Sequence, residues 1–285
     1  MESPKGGDAQ CLRIKFGYSG IIDSQAEVRV AAWAGPIPSM KTWFERGEDI
    51  HLNVAKLIGQ TVEKHNIKLP RNLWQRKPWQ ELDAHDPLDH DNERDLAKRT
   101  VHANTNGQGP IQFGIITGLP VKYATIVQDV YHSLFPEIRG NYHRWIREQL
   151  QTTRTLTNPL GWKRTFYDIY GPALEREAYA WYPQSTIGLL TVRTWRRCCE
   201  AFASASPPRL LTPNNIRAMG YDLQLQVHDS IGVVLDDDPL VIREAACAIK
   251  NIAEYPMIIK GEVLVVPMDF KIGPSWGQLK EYVIA

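Results

Sequence analysis

The sequence predicts a mixed α/β fold, because strand-like and helix-like patterns alternate along it. Residues 223–228 alternate apolar and polar side chains, as in a half-buried strand, and a run rich in β-branched residues follows over 231–235. Ser24, with Glu27 three residues later, forms a capping box that predicts the start of a helix. Hydrophobic residues make up 43% of the 285 residues, which is enough for a sizeable core.

Composition excludes several classes of protein. The net charge is +1, so the overall charge does not indicate a nucleic-acid partner. The 4 cysteines form no C-x-x-C pair, so neither a zinc site nor a disulfide framework is indicated, and a reducing compartment fits best. The N-terminus lacks the apolar segment of a signal peptide, and no apolar run is long enough to span a membrane. We therefore expect a cytoplasmic protein with no membrane partner.

The remaining elements follow in order along the chain. A strand is expected over 11–22, and the helix after it should end at Gly35-Pro36. Proline and charged residues predict irregular structure over 66–90, and the glycine- and asparagine-rich stretch before Pro110 should end the helix that begins near Asn92. Further helices are expected over 120–135, 136–153, 174–203 and 239–254, and the last strand over 262–268. Pro183 should kink or split the third of these helices.

Two carboxylates sit where a metal ion could bind. Asp229 lies at the tip of the hairpin that residues 223–235 predict, and Asp23 lies at a strand-to-helix junction, beside the positive end of a helix. Each position also has a simpler interpretation, since Asp229 could merely make the turn and Asp23 could merely assist the helix cap. The pattern alone leaves both interpretations open.

A cationic helix face is the third candidate feature. Arg94, Lys98 and His102 are spaced at i, i+4 and i+8, which places them on one face of a helix. Such a face matches the charge of a triphosphate, and it also matches an ordinary solvated surface.

Six motifs, in order, carry a resemblance to a known family. They are Ser24-Gln25-x-Glu27-x-Arg29, Arg94-x-x-x-Lys98 with Gly107-x-Gly109-Pro110, Asn158-Pro159-Leu160-Gly161, Pro183-Gln184-Ser185-Thr186, Val227-His228-Asp229 and Lys271-Ile272-Gly273-Pro274-x-Trp276-Gly277. Their order resembles the palm and fingers of a family A (Pol I-like) DNA polymerase of the kind that many bacteriophages carry. The resemblance covers most of the chain.

The resemblance implies an antiparallel palm sheet with a mostly helical fingers insertion. Residues 1–44 correspond to the first part of the palm, 45–150 to the fingers and 151–285 to the second part of the palm. The thumb and exonuclease domains of the family would lie upstream and are expected to be absent. Either a separate polypeptide supplies them, or the chain is a fragment or a degenerate copy.

The activity that the resemblance implies is nucleotidyl transfer of dNTPs to a primer 3′ end on primer-template DNA. Two Mg²⁺ ions, ~3.5–4 Å apart, stabilise the attacking and leaving oxygens in such reactions. Magnesium prefers a few carboxylates together with phosphates and waters. By resemblance, Asp229 and Asp23 are the catalytic metal ligands.

The nucleotide-binding residues are also inferred from the resemblance. Arg94 and Lys98 grip the triphosphate, and Glu27 crowds the ribose 2′ position and so rejects ribonucleotides. His102 replaces the commoner aromatic residue, as in a phage-type subclass. Asn106 stands where the family usually has Tyr, so it can hydrogen-bond Glu27 but cannot stack on the template base.

The DNA-binding residues follow in the same way. Gln184 and His228 resemble residues that contact the minor-groove side of the primer terminus, where the acceptors are nearly the same for all base pairs. Arg29, Lys163 and Arg164 are candidates for supporting contacts or contacts to the DNA backbone.

One departure bears on the metal site. The family's metal-binding Asp lies two residues before the Ser, where this chain has Ile22, and Asp23 is one residue out of register. A one-residue shift in a strand reverses the side-chain direction, so Asp23 can serve only if the strand is bulged or shortened. The alternatives are a catalytically impaired DNA-binding remnant of the fold, a different two-metal enzyme such as a nuclease, and a structural partner-binding subunit.

Overall fold

The chain divides into two compact units, one built around a sheet and one mostly helical. The computed structural model describes residues 9–16, 25–64, 93–203, 221–227, 229–275 and 278–284. Unit 1 comprises Met1–Ala26, Thr186–Ile258 and Val263–Ala285, and unit 2 comprises Glu27–Ser185 and Ile259–Glu262. The predicted fold class, an antiparallel sheet with a largely helical insertion, is confirmed.

The helices and strands are numbered in chain order. The helices are α1 (Ala26–Ala34), α2 (Pro38–Glu45), α3 (Ile50–Lys64), α4 (Glu93–Thr105), α5 (Pro110–Thr117), α6 (Val121–Leu134), a π-helical segment (Ile138–His143), α7 (Arg144–Thr152), α8 (Pro172–Ala203) and α9 (Pro239–Ala253). The strands are β1 (Ala9–Phe16), β2 (Thr155–Thr157), β3 (Lys163–Thr165), β4 (Tyr221–Val227), β5 (Ser230–Asp236), β6 (Met257–Ile259), β7 (Glu262–Leu264), β8 (Met268–Gly273) and β9 (Lys280–Glu281). No helix in these described ranges has the length and apolar character needed to cross a membrane.

The main sheet belongs to unit 1 and is antiparallel throughout. Its strand order is β4-β5-β1-β8-β9. Val227 pairs with Ser230, so β4 and β5 are joined by a two-residue turn. Lys15, near the end of β1, lies opposite Ser230 on one side and opposite Asp269 of β8 on the other. The end of β1 and the β4–β5 turn therefore lie at the same edge of the sheet.

Helix α9 packs against this sheet, contacting β5 and β8. The Asp238 side chain caps it by accepting a hydrogen bond from the Leu240 backbone N–H at 2.8 Å. Ile242, Ala245, Ala246 and Ile249 recur with helical spacing and are all buried. This apolar stripe covers the sheet beside Ile231 and Val233, which are fully buried in β5.

The helices of unit 2 surround α3, which packs against α4 and α6. Ile50, Val54 and Ile58 repeat every four residues along α3 and are fully buried. Ala97 and Val101 of α4 are also fully buried. Burying this face leaves the other sides of α4 for polar residues.

Two short helices, α2 and α5, begin where the sequence patterns indicated only breaks. Each has a proline in its first turn, Pro38 in α2 and Pro110 in α5. Proline is well tolerated there, because the first backbone N–H groups of a helix have no partner within the helix. A proline therefore opens each of these two helices, shortly after the preceding helix has ended.

Pro183 does not split α8, which is one continuous helix. A proline inside a helix removes the hydrogen bond to the carbonyl four residues earlier, here that of Tyr179. The Tyr142 hydroxyl replaces it, donating to the Tyr179 carbonyl oxygen at 2.6 Å. Burial is the largest of the causes that hold the pKa of Tyr142 well above its usual value, so this hydroxyl keeps its proton. A tertiary contact therefore compensates for a local defect.

We expect Tyr142→Phe to lower the free energy of unfolding by about 1–3 kcal/mol, because it leaves the buried Tyr179 carbonyl without a donor. Denaturant unfolding followed by circular dichroism measures this change. Tyr167→Phe is the matched control, since the Tyr167 side chain is 90% exposed and losing its hydroxyl should change the stability little. Equal stabilities of the two variants would contradict the compensating role of Tyr142.

The strand predicted over 262–268 is interrupted. β7 ends at Leu264 and β8 begins at Met268, with Pro267 between them. Proline has no N–H to donate to a sheet, which explains why the two strands separate here. β6 and β7 form their own hairpin, and its turn residues Lys260 and Gly261 have φ values of 49° and 85°, as a tight type I′ turn requires.

Candidate active site

Asp229 lies in the tight turn between β4 and β5. Its side chain is half-buried, and Ser230 Oγ lies 3.4 Å from Asp229 Oδ1, towards which it donates. Ser230 is itself 2% exposed and opens the strand that continues into the fully buried Ile231. The turn therefore holds a carboxylate at the sheet edge, anchored by a buried strand.

Asp23 and His228, the other residues predicted at this edge, lie outside the described residues. What the structure does describe is the end of β1, where Lys15 pairs with Ser230 directly beside the Asp229 turn. The chain is described again from Gln25, which is buried immediately before α1.

The described residues at this edge supply one suitable magnesium ligand but not a complete set of ligands. Among the described residues there is no group of three or more His, Cys, Asp or Glu side chains that could hold a metal ion. Asp229 supplies a hard oxygen ligand, and magnesium sites commonly use only one or two carboxylates. The chemistry of the donor therefore suits the ion, and Asp23 is the predicted second ligand.

Glu27 and Arg29 lie on α1 and occupy different environments. Glu27 is half-buried and is one of the groups that raise the pKa of Tyr142. Arg29 is 6% exposed, and its guanidinium carbon lies 4.3 Å from the centre of the Phe44 ring. Desolvation lowers the pKa of Arg29 to about 10. Arg29 is thus packed inside unit 2, where it supports α1 against α2.

The predicted nucleotide-binding residues of α4 lie along one helix, at the expected spacing. Arg94 Nε donates to Asp49 Oδ2 at 2.7 Å, and the two side chains are 12% and 2% exposed. Lys98, one turn later, is partly exposed. The pKa of His102 is lowered to about 4, first by burial and then by the positive charge of Lys98. His102 is therefore neutral near pH 7, and the positive charge of this face comes from Arg94 and Lys98.

Asp49 and His51 were missed by the sequence reasoning. His51 lies beside His102, with ring centres 5.8 Å apart, and neither of its ring nitrogens has a hydrogen-bond partner among the described residues. Burial, followed by His102 and Arg94, holds the pKa of His51 well below its usual value. The available signal was an Asp-Ile-His segment at the start of a helix. The ion pair between Asp49 and Arg94 joins residues that are 45 positions apart, so no local sequence pattern could predict it.

Asn106 and Gln184 line the same cleft in unit 2. The cleft has a volume of about 860 Å³ and is lined by Asn106, Gln108, Gly109, Pro110, Ile111, Gln112, Arg176, Glu177, Ala180 and Gln184. Four side-chain amides, together with the charged side chains of Arg176 and Glu177, make it polar. Gly107 beside it has a φ of +70°, and a Cβ there would lie 2.8 Å from the Tyr179 ring, so only glycine fits.

Lys163 and Arg164 lie on the β2–β3 hairpin. Asn158 holds its turn, with Oδ1 accepting from the Leu160 and Trp162 backbone N–H groups at 3.1 and 2.9 Å. Lys163 is exposed, whereas Arg164 is hydrogen-bonded to Glu177 of the cleft. Lys163 is thus the more accessible of the two cations for a phosphate contact.

No protein-family model matches the chain, and no curated protein matches it.

Comparison of structures does find matches, and they define the fold as that of a DNA polymerase domain. One matching structure is the POL domain of Pol1 from M. smegmatis, solved in complex with DNA primer-template and dNTP. The TM-score is 0.67 and the sequence identity 17%, over 95% of this chain and 41% of that chain. The chain thus has the fold of this bacterial Pol I domain and spans less than half of the matched chain.

Proposed function

We propose that this chain performs template-directed DNA synthesis, adding dNTPs to a primer 3′ end as a family A polymerase of the bacteriophage type. The main support is the fold, since 95% of the chain matches a Pol1 domain solved with DNA primer-template and dNTP. In this proposal, residues 1–44 and 151–285 form the palm and residues 45–150 the fingers. The six motifs of the sequence support the same assignment.

The proposed metal centre uses Asp229 and Asp23 to hold two Mg²⁺ ions. When bound, these ions stabilise charge on the attacking and leaving oxygens of phosphoryl transfer. Of the two proposed ligands, the half-buried Asp229 carboxylate lies among the described residues. Ser230 Oγ, 3.4 Å from its Oδ1, orients it. The position of β1 beside the Asp229 turn supports Asp23 as the second ligand.

The proposed triphosphate site uses the cationic face of α4. Arg94 and Lys98 bind the phosphates and offset the negative charge that develops on them during the reaction. His102, whose pKa of about 4 leaves it neutral, can offer a hydrogen bond without adding charge. Glu27 limits the space at the ribose 2′ position, and Asn106 is its proposed hydrogen-bonding neighbour.

The proposed DNA path uses the polar cleft and the β2–β3 hairpin. Gln184, in the cleft, and His228 contact the minor groove at the primer terminus, where amide groups can check pairing without reading sequence. The exposed Lys163 contacts a backbone phosphate. Arg164 and Arg29 hold their positions through Glu177 and Phe44 and so act as supporting residues.

A second candidate function is a non-catalytic DNA-binding remnant of the same fold. It is favoured by one observation, the presence of Ile22 where the family has its metal-binding Asp. A remnant binds primer-template DNA but incorporates no nucleotide.

Primer extension on templates that differ only in the first unpaired base tests the proposal. We expect Mg²⁺-dependent incorporation of only the complementary dNTP, because base pairing selects the nucleotide before transfer. The assay is run with and without a thumb-bearing polymerase fragment, since the chain spans 41% of the matched chain.

Three other results would contradict polymerase function. Binding of DNA with no incorporation under either condition supports the remnant. Cleavage of DNA without added nucleotides supports a nuclease. Incorporation that ignores the template base supports an untemplated transferase.

A further inference from the structure

Asp49 uses its two carboxylate oxygens for different purposes. Oδ1 accepts hydrogen bonds from the backbone N–H groups of His51 and Leu52, at 2.8 and 3.2 Å, and so caps the start of α3. Oδ2 accepts from Arg94 Nε at 2.7 Å. One buried carboxylate therefore joins the start of α3 to the cationic face of α4.

The surroundings make this link rigid. The Asp49 side chain is 2% exposed, and a buried carboxylate is stable only when its charge is compensated. Among the described residues, the guanidinium of Arg94 and the positive end of α3 both compensate it. Both belong to helices that pack against each other, which holds the two groups close to the carboxylate.

Arg94 keeps donors available after this contact. A guanidinium has five N–H donors, and Asp49 engages the one on Nε. Arg94 Nη2 is buried and has no hydrogen-bond partner among the described residues. A buried donor of this kind can bind an acceptor that a ligand supplies. The planar end of an arginine matches the oxygens of phosphate groups, as it does those of carboxylates.

We propose that Asp49 is a positioning residue for the incoming nucleotide. It holds Arg94 by Nε, so that the terminal nitrogens are fixed before the triphosphate arrives. This inference rests on the proposed function, because it takes the Arg94 ligand to be a dNTP. Asp49 itself does not touch the nucleotide, since two anions would repel each other. Its effect on binding passes through Arg94.

Asp49→Asn separates the two roles of the carboxylate. Asparagine caps a helix about as well as aspartate, so the hydrogen bonds to His51 and Leu52 can persist. The negative charge that holds Arg94 is lost. We expect the apparent KM for dNTP and the Kd for dNTP to rise about tenfold, with a smaller loss in kcat, because Arg94 is proposed to hold the phosphates both before and during the chemical step.

Glu48→Gln is the matched control. Glu48 is the adjacent acid, and its Oε2 accepts from Asn53 Nδ2 at 2.7 Å. Removing its charge should leave both the KM and the Kd near the wild-type values. Circular dichroism and thermal unfolding establish that each variant is folded.

A double-mutant cycle with Arg94→Gln distinguishes positioning from a general structural role. If Asp49 acts through Arg94, Asp49→Asn adds little to the KM in the Arg94→Gln background. Arg94→Gln alone leaves the buried Asp49 carboxylate without its partner, whereas both partners are neutral in the double variant, so each variant is first shown to be folded. An equal, additive rise in both backgrounds overturns the proposal.

Two measurements, primer extension and dNTP binding, distinguish a failure of the Asp49 proposal from a failure of the proposed function. A wild-type chain that extends primers while folded Asp49→Asn keeps the wild-type KM and Kd overturns the role of Asp49 alone. A wild-type chain that binds dNTP by calorimetry without extending primers overturns the polymerase function, and the Kd comparison still decides the role of Asp49. A wild-type chain that does not bind dNTP overturns both.

Discussion

Asp229→Ala is expected to abolish primer extension, with a loss of at least about 1,000-fold, which corresponds to about 4 kcal/mol of transition-state stabilisation. The reason is that Asp229 is the proposed carboxylate ligand in the tight β4–β5 turn, and its removal leaves the metal centre without that oxygen. Single-turnover extension at saturating dNTP and Mg²⁺ measures the rate of the chemical step. DNA binding should change less than activity, because Gln184 and Lys163, two of the proposed contacts to the duplex, lie on other elements.

Two control variants belong to this experiment, Asp237→Ala and Asp229→Asn. Asp237 follows the far end of β5 and is exposed, so its removal should leave extension at the wild-type rate. Asp229→Asn keeps the size of the side chain and the contact to Ser230, so a loss of activity there cannot be attributed to misfolding. Extension at the wild-type rate by folded Asp229→Asn and Asp229→Ala would rule out the proposed metal centre.

Lys98→Ala is expected to raise the apparent KM for dNTP about 30-fold, corresponding to about 2 kcal/mol, the usual contribution of a hydrogen bond to a charged group. Lys98 lies one turn after Arg94 and is partly exposed, so its ammonium can reach a ligand phosphate. Steady-state extension over a range of dNTP concentrations measures the change. The KM for primer-template DNA should stay near its wild-type value, because this lysine is proposed to contact the nucleotide alone.

The control for Lys98 is Lys122→Ala. Lys122 lies in the first turn of α6 and is exposed. Replacing it with alanine therefore removes the same charge from a different surface of unit 2. We expect it to leave the KM for dNTP unchanged. If Lys98→Ala and Lys122→Ala have the same effect, the lysine contributes only to the general charge of the protein and has no specific role in binding the triphosphate.

The sequence predicted the local elements around the site well. The β4–β5 hairpin follows from alternation in 223–228 and a β-branched run, because both signals depend only on neighbouring residues. Helix α4 and the spacing of Arg94 and Lys98 follow from helical periodicity in the same way. The site residues themselves were inferred from the order of six motifs, and their roles stay predictions.

The remaining features depend on residues far apart in the sequence. Asp49 and Arg94 are separated by 45 positions, and no periodic pattern links a helix cap to a cation on another helix. The continuity of α8 depends on Tyr142, which donates to a carbonyl that Pro183 frees. Local rules predicted a kink or a split there, and the helix instead continues, with a tertiary hydrogen bond to the freed carbonyl. Such contacts become visible only when the helices are packed together.

The most direct test is a structure of this chain with primer-template DNA, dNTP and Mg²⁺, in which the carboxylates of Asp23 and Asp229 are located. The two-metal account predicts that an oxygen of each carboxylate lies ~2.0–2.1 Å from a shared magnesium ion, with the two ions ~3.5–4 Å apart. An Asp23 carboxylate on the opposite face of the sheet, with no ion bound between it and Asp229, would contradict the account.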